Sequence, residues 1–481
     1  MLRYSAQAVA RATQAELVLD GVHTIENVVI DSREVRAGSL FVCFKGERAD
    51  GNRYARAAVE AGAAAVALTA DAASVADDLV VLAREHGCAL LRAAGDDALE
   101  FLRSLAEAWR LANDQWVVVG VTGSVGKTTT KDMLAAGLSS AGDVYATPAN
   151  LNTLIGCSLT LLSASATDRF VVCEMGVDHP GDMDPLVRTA HPNLAVITNV
   201  GTSHLGNFGS REAIAREKAQ IATGMAQAPG AVAPCLAITA DNDFADLIQT
   251  EFAQAEGVQL LRVGTASGCD VRSTGLTLDE DSRPHFALEV AGQHVADVAL
   301  DALGTHVVAD FLLAMGVCWK AGLDLAAAAK AVEHMKRTAL RMEVKRAPGC
   351  PRVIDDSYNA SPSSMAAALD VLASMRCTGR RVAVLGEIGE LGEDAPRLHA
   401  LVGAYAAAKG LDLVVFVGEE NVVHMVDAAR TMGLSEDRLE VFPSGAAALE
   451  VLKGVFGEDD LMLVKASRFM GLDAFAKGVL A

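Results

Sequence analysis

The chain has 481 residues, of which 51% are hydrophobic and 5% aromatic, and its formal net charge is −20. That length predicts about three domains, and the composition is that of a globular α/β protein rather than a fibrous or disordered one. The acidic balance disfavours non-specific attraction to nucleic acid or anionic lipid, while leaving room for a local basic pocket that takes a nucleotide.

The nine cysteines are scattered, with no C-x-x-C pair and no metal-ligand spacing, which is the pattern of reduced thiols. No apolar run reaches the length of a membrane span. The stretch MLRYSAQAVARATQAEL reads as a short amphipathic helix with no apolar signal core behind it. A cytoplasmic protein without membrane insertion is expected.

Residues 1–112 predict a first α/β domain. Val28-Val29-Ile30 and Gly38 to Phe44 read as strands, Tyr54 to Gly62 as a helix, and Ala63 to Leu68 as a third strand. Asp31-Ser32-Arg33 lies between the first two strands. It reads either as surface polarity or as a contact for a diphosphate or uracil edge.

Residues 113–336 predict a second domain, in which apolar strands alternate with helices as in a parallel sheet with crossover helices. It opens with WVVVGVTGSVGKTTTK: a buried strand, then the turn Gly123-Ser124-Val125-Gly126, then Lys127-Thr128-Thr129 at a helix start. Backbone N–H groups at such a helix start face an anion, and the macrodipole adds to their pull. Lys127 would reach terminal phosphates, and the Thr128 hydroxyl would hold Mg²⁺. The generic G-x-x-x-x-G-K-[ST] pattern misses by one place, since residue 121 is Val.

Further strands are expected at Arg169 to Glu174, at Leu194 to Asn199 and, more weakly, at Leu236 to Thr239. Ligands of open α/β sheets lie beyond the carboxyl ends of the strands, and Glu174, Asn199 and His204 stand at such ends. Glu174 is a hard oxygen donor suited to Mg²⁺. Lys218 lies on a helix that Ser210 would cap; by itself it reads as a solvated lysine.

Residues 337–481 predict a third domain with strands at Val353-Ile354, Arg381 to Leu385, Leu413 to Val417 and Leu461 to Val464. Ser361 and Pro362 suit the N-cap and first turn of a helix. Glu387, Glu390 and Glu393 follow the second strand, either as an acidic loop capping strands or as part of a site.

Together DSREVRAGSLFVCFKGERADG, TGSVGKTTTK, ANLNTLIG, CEMG, ITNVGTSHLGNFGSREAIAREKAQI, DDSYNASPSSM, LGEIGELGEDAPRLH and LVKASR resemble the Mur ligases over nearly the whole chain. DDSYNASP and LGEIGELGED are most similar to the members that add D-alanyl-D-alanine. The resemblance implies an N-terminal UDP-binding domain, a central P-loop ATPase domain and a Rossmann-like C-terminal domain. It also implies the reaction. ATP phosphorylates the terminal carboxylate of a UDP-N-acetylmuramoyl-tripeptide, and the amine of D-Ala-D-Ala attacks the acyl phosphate to give the pentapeptide precursor of peptidoglycan. A monomer with these small-molecule substrates is expected.

Residue by residue, the resemblance makes Lys127, Lys218, His204 and Arg341 catalytic. ATP would be held by Gly123, Ser124, Val125, Gly126, Lys127, Thr128, Thr129, Asp310, Arg341, Asp356 and Tyr358. Thr128, Glu174, His204 and Lys218 would serve Mg²⁺, with Lys218 carbamylated. Ser32 and Arg33 match uridine and diphosphate contacts, and Asn152 and Thr153 the nucleotide-sugar side. Asn359, Ala360, Lys465, Ser467 and Arg468 match the remaining walls of the substrate cleft.

Three positions depart from the family pattern. Thr153 stands where Asn is usual, Ala466 where Gly is usual, and Asp310 where the adenine segment carries Asn. An ionised Asp can accept hydrogen bonds but not donate them, which predicts weaker ATP binding. Rival readings are a Mur-type ligase with a different amine, a silent Mur-like binding protein, and a P-loop kinase. The kinase would need neither the first domain nor DDSYNASP, and a silent homologue would be expected to lack one of Lys127, Glu174, His204 and Lys218.

Overall fold

The computed structural model describes residues 3–46, 49–69, 77–335 and 338–481. Strands gather into three separate sheets in chain order. The first is built from β1 (Glu16–Leu19), β2 (Asn27–Val29), β3 (Ser39–Val42), β4 (Ala65–Leu68) and β5 (Ala89–Arg92), in the order β1-β5-β4-β3-β2. All its pairs are parallel except β1 with β5.

The second sheet holds β6 (Val117–Thr122), β7 (Val144–Ala146), β8 (Phe170–Glu174), β9 (Leu194–Ile197), β10 (Cys235–Thr239), β11 (Gln259–Gly264), β12 (Val271–Leu278), β13 (Pro284–Val290) and β14 (Gln293–Ala299). Its order is β14-β13-β12-β11-β10-β9-β6-β8-β7. The third holds β15 (Glu343–Lys345), β16 (Arg352–Asp356), β17 (Arg381–Gly386), β18 (Leu413–Val417), β19 (Leu439–Phe442) and β20 (Leu461–Lys465), ordered β15-β16-β20-β17-β18-β19. Only its edge strand β15 runs antiparallel.

β6 is almost wholly buried and rich in valine, as a strand covered on both faces must be. It lies between β8 and β9, with Val121 opposite Glu174 and Thr122 opposite Ile197. The carboxyl end of β6 therefore delivers the glycine turn into a crevice with Glu174 on one side and the segment after β9 on the other.

The helix Ala98–Ala112 ties the first domain to the second. Asp97 caps it by accepting from the N–H groups of Leu99 and Glu100. It buries Phe101, Leu102, Leu105 and Trp109, and Trp109 meets Tyr4 and Trp116 edge to face at 5.6 and 6.0 Å. The fully buried Arg110 donates to the carbonyls of Asn113, Ala190, His191 and Pro229 and to Asn193 Oδ1. A buried guanidinium without a carboxylate is tolerated because oxygen acceptors surround it. The second and third domains meet through Arg352–Asp281 at 3.0 Å, Arg376–Glu280 at 2.5 Å and the Ser282–Ser374 hydroxyl pair at 2.7 Å.

Several expectations need correction. The regular alternation of strand and helix stops at β11, and β12, β13 and β14 form an antiparallel meander. The alternating burial of β13 is a period of two, which belongs to a sheet with one covered face. The strand expected at Leu236 to Thr239 is present, as the fully buried β10. The first helix is confined to Ala6–Thr13, where Gln14 turns left-handed at φ 54°, and Glu16–Leu19 is a strand. The junction expected at 336 and 337 lies outside the described residues.

Candidate active site

The phosphate loop is held rigidly before any ligand arrives. Asn199 Oδ1 accepts from the N–H groups of Ser124 and Val125 at 3.2 and 3.0 Å, and Ser124 Oγ accepts from Gly201 N–H at 2.9 Å. Two glycines make the geometry possible. Gly123 (φ +146°) has Thr198 Oγ1 only 1.9 Å from where a Cβ would sit, and Gly126 (φ +86°) has Asp310 Oδ1 at 2.5 Å. Lys127 opens the helix Lys127–Ser139 and folds Nζ back onto the carbonyl oxygen of Gly123 at 2.7 Å. Burial, reinforced by the Arg341 charge, lowers its pKa.

Thr128 donates its hydroxyl to Glu174, 3.0 Å to Oε2 and 3.3 Å to Oε1. Asn152 Nδ2 donates to the same carboxylate at 3.1 Å, and Glu174 is 1% exposed. This is a hard-oxygen pair of the kind Mg²⁺ takes, with phosphate and water completing the shell. Among the described residues no three His, Cys, Asp or Glu side chains converge as a self-sufficient metal nest. The donors therefore suit an ion that arrives with phosphate.

Lys218 overturns its bland reading. Ser210 caps its helix as expected, accepting from Ala213 N–H at 3.1 Å, but the lysine is buried, only 2% exposed. Among the described residues its amine has no hydrogen-bond or ion-pair partner. Burial pushes its pKa well below the usual lysine range, and the Lys127 charge pushes the same way.

His204 adopts a left-handed φ of +60°. Its Nε2 lies 3.2 Å from Asp178 Oδ1, and its Nδ1 lies 2.7 Å from Glu390 Oε2 in the third domain. Burial lowers its pKa, opposed by those two carboxylates. Asp178 and Glu390 were missed as site residues. The position of Glu390 in an acidic loop was the only signal for it.

The third domain brings up the opposite wall. Arg341 stacks on Tyr358 at 4.4 Å, Arg468 lies 5.7 Å from the same ring, and Arg341 Nε is buried without a hydrogen-bond partner. Lys465 bridges Asp356 Oδ2 at 2.5 Å and the carbonyl of Asn359 at 3.1 Å, and Asn359 Oδ1 accepts from Ala360 N–H. Ser467 Oγ accepts from Gly389 N–H at 3.0 Å. On the first domain, Arg33 is exposed and paired with Asp31, and Ser32 lies beside it. They follow β2, which packs against the helix Leu154–Ser163 that Thr153 caps.

Asp310 sits in surroundings that disfavour its ionised form. It is 8% exposed, accepts from Thr130 Oγ1 at 3.1 Å, and burial pushes its pKa up to about 8. A shift in that direction favours the protonated carboxyl, which can donate as well as accept.

A three-domain chain with a phosphate loop at the switch point of its central sheet and a cation-lined wall from its last domain is built to activate an acid with a nucleoside triphosphate. Family models match in that order: "Mur ligase family, catalytic domain" over residues 24–109, "Mur ligase middle domain" over 121–318, and "Mur ligase, glutamate ligase domain" over 340–468. The chain belongs to the Mur ligase family.

Among individual relatives, it is 35% identical to the UDP-N-acetylmuramoyl-tripeptide–D-alanyl-D-alanine ligase of Mycobacterium tuberculosis, covering 94% of this chain and 92% of that one. It is 32% identical to the ligase of the same name from Bacillus subtilis, covering 95% and 93%. Its structure matches MurF from Acinetobacter baumannii with a TM-score of 0.86 at 29% identity, covering 100% and 99%. It matches the MurF ligase from Thermotoga maritima in complex with ADP with a TM-score of 0.78 at 25% identity, covering 95% and 97%.

Proposed function

We propose that this chain is the ATP-dependent ligase that joins D-alanyl-D-alanine to UDP-N-acetylmuramoyl-tripeptide in peptidoglycan synthesis. The observation that carries the reading is the Lys127 loop beside the Thr128–Glu174 pair, with the buried Lys218 near enough for the Lys127 charge to act on it, in a chain that matches ligases of that name almost end to end.

A carboxylate is a poor electrophile until one of its oxygens becomes a good leaving group. ATP supplies that change by transferring its terminal phosphoryl group to the tripeptide carboxylate and releasing ADP. The dipeptide amine then attacks the acyl carbon, and the tetrahedral adduct collapses with phosphate leaving. Most of the protein's contribution is positioning and charge stabilisation. Lys127, whose Nζ now rests on the Gly123 carbonyl, would swing to a terminal phosphate. Arg341 and Arg468 add positive charge from the third domain, whose approach excludes water from the acyl phosphate.

Thr128 and Glu174 would hold Mg²⁺, with His204 and Lys218 beside a second ion; bound metal neutralises phosphoryl charge. Lys218 is suited to carbamylation, because a neutral amine attacks CO₂, loses a proton and becomes an oxygen donor. Ser32 and Arg33 take the UDP side, Asn152 and Thr153 the sugar side, and Asn359, Ala360, Lys465 and Ser467 the dipeptide side. The domains are 1–112, 113–336 and 337–481, and the enzyme acts as a cytoplasmic monomer. That location agrees with nine unpaired cysteines, and among the described residues no helix is long and apolar enough to cross a membrane.

The test is phosphate release from ATP with each substrate alone and with both. Release that needs both the UDP-tripeptide and D-Ala-D-Ala supports the ligase. Release with one acceptor alone indicates a kinase, and none indicates a silent homologue.

A further inference from the structure

Glu390 is unexplained by the phosphate chemistry, yet the fold goes to some length to present it. The loop after β17 is pinned to the third domain at successive residues. Glu387 is buried and its Oε1 accepts from the N–H groups of Glu420, Asn421 and Val422, at 2.9, 2.6 and 3.0 Å. Ile388 N–H donates to Nε2 of the buried His399 at 2.9 Å, and Gly389 N–H donates to Ser467 Oγ at 3.0 Å. With its neighbours fixed, Glu390 turns left-handed (φ +64°) and projects toward the second domain. A non-glycine residue is held in that region only where its surroundings over-determine it.

What it meets is His204, itself left-handed at φ +60°. The backbones close in around the pair. Gly206 N–H donates to the Glu390 carbonyl at 3.2 Å, and a Cβ on Gly206 would stand 2.8 Å from the Gly392 nitrogen. A Cβ on Gly392 would stand 2.7 Å from Gly206 Cα. Glu390 Oε2 reaches 2.7 Å from His204 Nδ1, but Nδ1 is buried and has no hydrogen bond of good geometry. The carboxylate thus stands at the right distance and off line. The rest of its side chain stays exposed, so the contact can form and break without stranding a buried charge.

We infer that Glu390 is a positioning residue that couples the approach of the third domain to the orientation of the His204 imidazole. A carboxylate beside Nδ1 favours the Nδ1–H and constrains the ring angle, while Asp178 Oδ1 stands 3.2 Å from Nε2 on the other side of the ring. Apart from Glu390, Nδ1 faces no carboxylate among the described residues, so removing Glu390 removes that constraint on the ring. Glu390 acts as a latch whose engagement reports that both walls of the cleft are in place. This rests on the ligase reading for the identity of the chemistry, but not for the existence of the contact.

The test uses the full chain as Glu390→Ala and Glu390→Gln, with Glu393→Gln as a control from the same loop. Steady-state kinetics are combined with thermal melting and with small-angle scattering in the presence of a non-hydrolysable ATP analogue and the UDP-tripeptide. Glu390→Ala is expected to lower kcat by about 10- to 100-fold, the range for losing a carboxylate behind a functional histidine. KM for ATP and the melting temperature should change little, and ligand-induced compaction should weaken. Glu390→Gln, whose amide oxygen can still accept from Nδ1–H, should recover part of kcat, and Glu393→Gln should match the wild type. Wild-type kcat and compaction in Glu390→Ala would overturn the inference. So would a uniform loss of melting temperature, KM and kcat that Gln does not relieve. If the wild-type chain forms no amide from the dipeptide, the substrate reading fails, and the scattering comparison still decides the role of Glu390.

Discussion

The Thr128 hydroxyl donates to Glu174 Oε2 at 3.0 Å, joining the first turn of the phosphate-loop helix to the end of the neighbouring strand. Both residues are buried, so the pair is preorganised. Glu174→Gln keeps the volume and one acceptor but removes the charge that would attract Mg²⁺. Phosphate release at saturating substrates is expected to fall by at least about 10²-fold, with the Mg²⁺ requirement shifted to higher concentration. A metal titration of the activity checks this; an unchanged Mg²⁺ dependence would exclude Glu174 as a ligand.

Lys218→Ala should abolish ligation while leaving the melting temperature unchanged or raised, since a buried amine without a partner is itself a liability. The wild-type chain should show a carbamate carbon by nuclear magnetic resonance after exposure to ¹³C-bicarbonate, and the variant should not. A fully active Lys218→Ala enzyme would sink the carbamate reading.

Asp310 makes a pH signature with a definite sign. Burial raises its pKa in the folded protein to about 8, whereas in the unfolded chain it is near 3.9. Between those values the folded state binds the extra proton, so this group's contribution to stability declines as pH rises from about 4 to about 8 and is flat beyond. Asp310→Asn keeps the partner for Thr130 and removes that decline. The variant should gain on the order of a few kcal/mol at pH 8 and little at pH 4, read by denaturant unfolding. Its ATP affinity should match the wild type near neutral pH and exceed it above pH 8, where the native carboxylate ionises.

His399 has the opposite dependence. Its Nδ1–H donates to the Ala395 carbonyl at 2.7 Å while Nε2 accepts from Ile388 N–H at 2.9 Å, so only the neutral ring satisfies both. Burial lowers its pKa. Stability from this group is therefore complete above the unfolded value of about 6.5 and is lost as pH falls through the folded one. His399→Ala leaves the buried Ile388 N–H without its acceptor and should cost about 1–3 kcal/mol at pH 7, with a smaller difference from wild type at pH 5. Unfolding curves at the two pH values check both parts.

The phosphate loop was legible because all its information is contiguous: a valine-rich strand, two glycines at conformations only glycine tolerates, and a lysine opening a helix. The caps at Ser210 and Ser361 were legible for the same reason, each being a local bond from a side chain to a backbone N–H three residues on. The antiparallel β12–β14 meander was written in the alternation of β13 but was masked by the strand–helix rhythm before it. Lys218 gave no sign of burial, since Arg216 and Glu217 flank it and its helix reads as charged. Only tertiary packing buried it, and burial pushes its pKa below the usual lysine range.

The sequence by itself determined the three α/β units, the position of the phosphate cradle and the family, because strand patterning, turn chemistry and contiguous motifs are local properties. The tertiary structure decided what each charge does. Glu387 and Glu390 stand in one acidic loop, yet the first is consumed in capping a helix and the second crosses to His204. Asp310 reads as an anion, and burial pushes its pKa up toward the acid form. Burial and long-range partners set ionisation, and those exist only once residues far apart in the chain have been brought together.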